Sequence, residues 1–283
     1  MRKLILFLLP LMLASCSMNK IEPINDIKYQ YGVFLSCEPN DMKYMTGYKT
    51  IVIDAQYFEK GDVLALKEHG NKVFSYINLG SIENFRSYYD MFKDITLGEY
   101  ENWEEERWVD VSNVSWQNFI INDLSSELLF KGVDGLFVDN CDVYYNYQTD
   151  AIFDGVTTIL KGLKNKGTYV SINGGDTYVS KYIEKNNKIS DVMNAVNQET
   201  VFSKINWNTK TFSRNDNKEK EYFQQYVETV SSYGGDVYLL EYTKDNSLIK
   251  EINEYCKSKN FIYYAADDLE LKIPTSYKGS QKI

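Results

Sequence analysis

This chain of 283 residues has a single histidine, His69 in "KEHGNK". One imidazole, at the end of a predicted helix, excludes Ser-His-Asp and Cys-His catalysis and any zinc or binuclear centre built on histidine. No Gly-rich phosphate loop or dinucleotide fingerprint is present, which removes the common nucleotide-binding classes. Cysteine is scarce as well. Apart from Cys16 there are Cys37, Cys141 and Cys256. An odd number cannot form a complete disulfide framework, although one pair could form. Cys141 is read as a small buried apolar residue rather than a nucleophile. There are only four prolines, no internal repeat and no low-complexity tract, which leaves one domain. Beyond the N-terminus no apolar run is long enough to cross a bilayer.

Positive charge is in deficit. With the N-terminal Arg2 and Lys3 set aside, 29 basic residues face 40 acidic ones, a net of −11. Such a surface repels nucleic acid and anionic polymers and tolerates neutral or cationic partners. What the chain has in plenty is aromatic residues, at 15%, mostly tyrosine. Tyrosines fill cores, and near a polar mouth they also offer flat faces to sugar rings.

The start, "MRKLILFLLPLMLASCSMNK", combines a basic beginning, an apolar stretch from Leu4 to Leu13 and small residues before Cys16. It reads as a secretory signal rather than a membrane span. Leu13-Ala14-Ser15-Cys16 resembles the bacterial lipobox, in which the cysteine is lipidated and becomes the mature N-terminus. The expected organisation is a signal peptide over 1–15, a lipidated N-terminus and tether over 16–29, and one folded domain over 30–283. The expected location is the cell envelope. The lipid would anchor the protein to a membrane that it does not span, facing the periplasm or exterior.

Within the domain, short apolar or aromatic runs recur: "YGVFLSC" (31–37), "TIVIDAQYF" (50–58), "KVFSYINLG" (72–80), "GLFVDNCDVY" (135–144), "YVSINGGD" (169–176), "DVMNAVNQE" (191–199), "DVYLLEYT" (236–243) and "FIYYAADD" (261–268). Helical patterns over 61–69, 115–130, 149–166, 218–233 and 246–257 alternate with them, and the first four stop at or near a glycine. Eight strands apolar on both faces, interspersed with helices, predict a single (β/α)8 barrel of the α/β class. An open doubly wound sheet would place a Gly-rich loop after its first strand, and none follows Cys37.

Barrels of this kind carry their sites at the C-terminal ends of the strands. Asp54, Asn78, Asp139 with Asp142, Asn173, Glu199, Glu241 and Asp267 close strands two to eight. A mouth rich in acids and amides and without histidine suits glycoside hydrolysis. There, one carboxylic acid protonates the leaving oxygen and another acts as nucleophile or as base on water. Spacing alone does not choose the pair. An all-oxygen Mg2+ or Ca2+ site around Asp139 and Asp142 stays open at this point, although no metal and no cofactor is assigned.

The runs "VIDAQYF", "FSYINLGSIENFR", "NWEEERWVDV", "GVDGLFVDNCDVY", "INGG" and "NAVNQETVF" together resemble the glycoside hydrolase family 114 barrel, over roughly Tyr31 to Asp268. The most specific parts are Gly80-Ser81 and Glu83 with Arg86, the stretch around Asp139, and the glutamate before Thr200-Val201-Phe202. The resemblance implies an endo-acting hydrolase of α-1,4-linked galactosamine polymers, partly deacetylated and so partly cationic; the chain is expected to be a monomer. It implies Asp139 as nucleophile and Glu199 as general acid/base, with retention of configuration. It also implies a cleft lined by Asp54, Tyr76, Glu83, Arg86, Asn140, Asp142 and Asn173; Glu241, the acid closing strand seven, is added as a substrate-binding residue. Trp103 and Trp108, in the acidic insert before strand four, either stack on sugars or pin a long loop. The competing readings are a non-catalytic glycan-binding lipoprotein on the same barrel and a divalent-metal phosphoesterase.

Overall fold

Each of the eight expected runs forms a strand of one parallel sheet in the computed structural model, which describes residues 21–283. The expected signal segment, Cys16 and the start of the tether lie outside the described residues. The strands are β1 (Tyr29–Phe34), β2 (Tyr48–Ile53), β3 (Lys72–Asn78), β4 (Gly135–Asp139), β5 (Tyr169–Asn173), β6 (Ala195–Glu199), β7 (Asp236–Tyr242) and β8 (Ile262–Ala266), paired in that order. Most of their residues are buried, as expected for a sheet with side chains packed inside it and helices outside.

β1 and β8 lie side by side without a continuous ladder, and the C-terminal segment fills the seam. Tyr29 bridges Lys282, Tyr264 bridges Ser280, and Gln30 N–H donates to Gln281 O at 2.8 Å. The barrel is therefore closed partly by side chains and by this tail. Phe34 packs edge-on against Tyr264 across the same seam and against Tyr48 on β2, with ring centroids 5.7 and 5.1 Å away.

The helices start and stop on local chemistry. Lys60–His69 ends at Gly70, whose φ of 108° is a left-handed cap that suits glycine. The helical stretch Val114–Asn118 starts on Asn113, which accepts from the N–H groups of Ser115 and Trp116. It continues through a π-helical turn, Phe119–Leu124, into Ser125–Lys131, and Trp116 Nε1 fixes it to Leu79 O at 2.8 Å. Asp150–Asn165, Asn217–Ser232 and Asn246–Lys259 match the other patterns, with caps at Thr149, Asp216 and Asp245. A further helix, Asp176–Asn186, follows β5 and was not expected from the sequence. No helix among the described residues is long and apolar enough to cross a membrane.

Two insertions rise from the C-terminal end. Between β3 and β4, strands Ser81–Glu83, Thr96–Glu99 and Glu106–Val109 form a small antiparallel sheet. After β6, strands Ser203–Asn206 and Thr211–Arg214 form a hairpin. Both stand over the barrel mouth.

Candidate active site

Register brings the site together before any side chain is considered. Asn78 on β3 pairs with Asp139 on β4, Asn173 on β5 pairs with Asn197 on β6, and Glu199 ends β6 opposite Leu240. From these strand ends Asp139 and Glu199 converge on one donor. Asn173 Nδ2 gives a hydrogen bond to Asp139 Oδ1 at 2.9 Å and another to Glu199 Oε1 at 2.8 Å. The two acceptor oxygens are therefore at most 5.7 Å apart, the two bond lengths laid end to end.

The orientation of that amide is fixed from behind. Asn197 Nδ2 donates to Asn173 Oδ1 at 2.7 Å, and Tyr31 Oη donates to Asn197 Oδ1 at 3.0 Å. With its oxygen occupied by Asn197, Asn173 can present only its nitrogen to the acids. Tyr242 Oη on β7 completes the set by donating to Glu199 Oε2 at 2.8 Å. Sequence reasoning assigned no role to Tyr31, Asn197 and Tyr242: Tyr31 and Tyr242 carry no local motif, and Asn197 lies within "NAVNQETVF" without being singled out.

Burial pushes the carboxyls of Asp139 and Glu199 above their usual range. For Asp139 the charges of Glu199 and Glu106 act in the same direction, opposed by the Asn173 donor. For Glu199 the Asn173 and Tyr242 donors oppose the rise. Two acids this close disfavour each other's ionisation.

Beside the pair, Arg86 forms ion pairs with Asp54 at 2.7 Å and Glu83 at 2.9 Å, all three being buried. Tyr76 Oη adds a hydrogen bond to Glu83 at 3.2 Å. These four expected residues form one rigid wall of the cleft. The Arg86 charge is consumed within it.

Asn140 takes a left-handed φ of 63° just after β4. Its amide turns to the insert, donating to Asn78, Ser81 and Glu106 and accepting from Tyr100 Oη at 3.0 Å. The backbone of Asn140 lies so close to Gly80 that any Cβ there would collide with its carbonyl oxygen, which explains the glycine in "GSIE". Glu106, unforeseen from the sequence, enters the cavity from the insert. Its Oε1 accepts from Asn78, Ser81 and Asn140. Burial, and then the charge of Glu83, raise its carboxyl to about 7. Asp142 accepts from Gly175 N–H and is also raised to about 7, mainly by burial and then by Asp176.

Two expected strand-end acids stand elsewhere. Glu241 is fully buried outside the cleft. It accepts from the N–H of Phe202 (3.0 Å), from the N–H of Ser203 (2.8 Å) and from Ser203 Oγ (2.6 Å), so it fixes the loop after Glu199 instead of binding substrate. Asp267 accepts from Thr275 N–H at 2.8 Å and fastens the C-terminal segment. Cys37, Cys141 and Cys256 are all free and buried. Burial, and then the neighbouring acids, push the Cys141 thiol well up, which denies it a thiolate role. Among the described residues no group of three or more His, Cys, Asp or Glu side chains is arranged to hold a metal ion.

The resulting cavity, about 1240 Å3, is lined by twelve carboxylate residues and one cationic residue, Arg86. A sequence profile of glycoside-hydrolase family GH114 matches residues 12–277. The chain belongs to glycoside-hydrolase family GH114. As a member of GH114 it is a glycosidase. Among solved structures, the glycoside hydrolase domain of PelA from Pseudomonas aeruginosa is similar, with a TM-score of 0.71 at 14% identity over 86% of this chain and 96% of that one. Ega3 of Aspergillus fumigatus, solved in complex with galactosamine, is similar with a TM-score of 0.67 at 20% identity over 90% of this chain and 96% of that one. An α-galactosidase from Thermus thermophilus shares the barrel at lower similarity, with a TM-score of 0.56 at 9% identity over 88% of this chain and 60% of that one. At these identities the likeness is one of fold. No curated protein sequence matches the chain significantly.

Proposed function

We propose that this GH114 protein hydrolyses an α-linked, galactosamine-containing polysaccharide with retention of configuration, using Asp139 as nucleophile and Glu199 as general acid/base. The observation that carries the proposal is the single amide nitrogen of Asn173 bonded to both acids. Retaining enzymes keep their two carboxyls about 5–5.5 Å apart, whereas inverting enzymes need about 6.5–9.5 Å to seat a water. The upper limit of 5.7 Å between the two nearest acceptor oxygens lies below the inverting range and supports retention.

In the first step an Asp139 oxygen attacks the anomeric carbon while Glu199 gives its proton to the departing glycosidic oxygen. In the second, Glu199 takes a proton from water as that water displaces Asp139. One proton shared by the pair is the starting state this sequence requires. Asn173 and Tyr242 hold the carboxyls in place for both steps. The substrate class is supported by charge: a cleft with twelve carboxylate residues and one internally paired arginine favours a polymer carrying ammonium groups. It is supported too by the galactosamine found with Ega3.

Purified protein incubated with partly deacetylated α-1,4-galactosaminan should release oligosaccharides whose new reducing ends are first α by NMR. Asp139→Asn and Glu199→Gln should each lower kcat/KM by about 10²–10⁴-fold. Release of the β anomer first would overturn retention, and turnover surviving both substitutions would overturn the assignment. We also propose that Cys16 carries the lipid that holds the protein at a membrane surface. Labelling of cells with a palmitate analogue should mark the wild-type chain and not Cys16→Ser; equal labelling of both would refute the anchor.

A further inference from the structure

Trp103 and Trp207 reach the mouth from opposite insertions. Trp103 lies in the loop joining Thr96–Glu99 to Glu106–Val109, above β3 and β4, and Trp207 lies at the turn of the hairpin above β6. Their rings meet edge to face, with centroids 6.1 Å apart and planes at 77°. Each side chain remains 38% exposed, and neither packs against the apolar core. Trp108 and Trp116, by contrast, are almost fully buried. Two large aromatic residues at loop tips, exposed and free of the core, are not explained by folding stability.

Their position suggests what they are for. The catalytic cavity and a second cavity of about 1130 Å3 share Asn102, Trp103, Glu105, Trp207, Leu269 and Glu270 as common walls. The tryptophan pair thus stands where one groove passes into the next. A polymer with its scissile bond over Asp139 and Glu199 would cross this line to continue into the second cavity. The flat, electron-rich faces of the two indoles suit the C–H faces of sugar rings, and they also attract an ammonium group on those rings. The neighbouring Glu105 adds negative charge at the same point, while Glu270 is paired with Lys272.

We propose that Trp103 and Trp207 form a clasp, a remote sugar-binding subsite that holds the galactosamine polymer where it leaves the catalytic cavity, and so selects long chains over short ones. This inference rests on the proposed substrate class. Binding to an Asp139→Asn background tests it, with tryptophan fluorescence titrated against galactosaminan. Trp103→Ala with Trp207→Ala should raise the polymer Kd at least tenfold, while Trp103→Phe with Trp207→Phe, which keep a flat ring, should stay within threefold of the parent. In the active protein the alanine pair should lower the ratio of kcat/KM for polymer to that for a galactosamine tetrasaccharide by at least tenfold. Polymer binding within twofold of the parent in the alanine pair, or an equal fall for both substrates, would overturn the clasp. Reducing-end release by the wild-type protein is scored in parallel to separate the two readings. Cleavage without tryptophan dependence overturns the clasp alone; tryptophan-dependent binding without cleavage overturns the hydrolase reading alone.

Discussion

Asp139 and Glu199 share one hydrogen-bond donor, the Nδ2 of Asn173, at 2.9 and 2.8 Å. The sharing ties their separation and their protonation to the same atom. A donor aimed at a carboxylate favours its ionised form, so this amide lowers the charge cost of both acids against the burial that raises them.

Replacing Asn173 with alanine therefore has a signed effect on pH dependence. Without the donor, both carboxyls rise further, and the acid limb of kcat/KM, which reports ionisation of the nucleophile, should move to higher pH. The rate at the optimum should fall by about 10²-fold, the usual cost of removing one preorganised donor. Asn197 Nδ2 would also lose its acceptor in the interior, costing about 1–3 kcal/mol of stability. A lower melting temperature with an unmoved acid limb would reduce Asn173 to a packing role.

Glu241 makes a different prediction. It is fully buried and accepts from two backbone N–H groups and one hydroxyl in the loop after Glu199. Glu241→Gln puts an amide N–H where only acceptors fit. The variant should lose about 1–3 kcal/mol of stability, or about 2–4 °C in Tm per kcal/mol for a domain of this size. Turnover should fall with it as the Glu199 loop loosens. An unchanged Tm with a raised KM for polymer would restore the sequence expectation that Glu241 binds substrate.

That expectation failed through strand parity. Successive residues of a strand point to opposite faces. On β7, Tyr238 meets Tyr31 inside the barrel and Tyr242 reaches Glu199, so the intervening parity places Glu241 outside. A run buried on both faces, as "DVYLLEYT" is, gives no alternation from which to read the inward side. The eight strands themselves were legible for the same reason, since near-continuous apolar runs closed by polar residues are distinctive. Asp139, Glu199 and the wall of Asp54, Tyr76, Glu83 and Arg86 were legible through motif. The helix Asp176–Asn186 was not, because "DTYVSKYIEKN" is mostly polar and buries only Tyr178, Val179 and Tyr182. Tyr31 and Asn197 are 166 positions apart, and only closure of the barrel brings them together. Glu106 was hidden among the acids of "ENWEEERW", where solvated charge is the ordinary reading.

Glu106 gives the sharpest pH test. Its carboxyl is raised to about 7 by burial and then by Glu83, and its charge in turn helps to raise Asp139. Below about pH 7 Glu106 is mostly protonated and exerts little charge on the pair; above it the charge appears and resists loss of the last proton shared by Asp139 and Glu199. Glu106→Gln keeps an oxygen for Asn78, Ser81 and Asn140 while deleting that charge. The alkaline limb of kcat/KM should move to lower pH, the direction expected when a nearby like charge is removed. The acid limb, on the side where Glu106 is already neutral, should stay in place. An alkaline limb that stays put or moves upward would show that Glu106 does not act on the pair through charge.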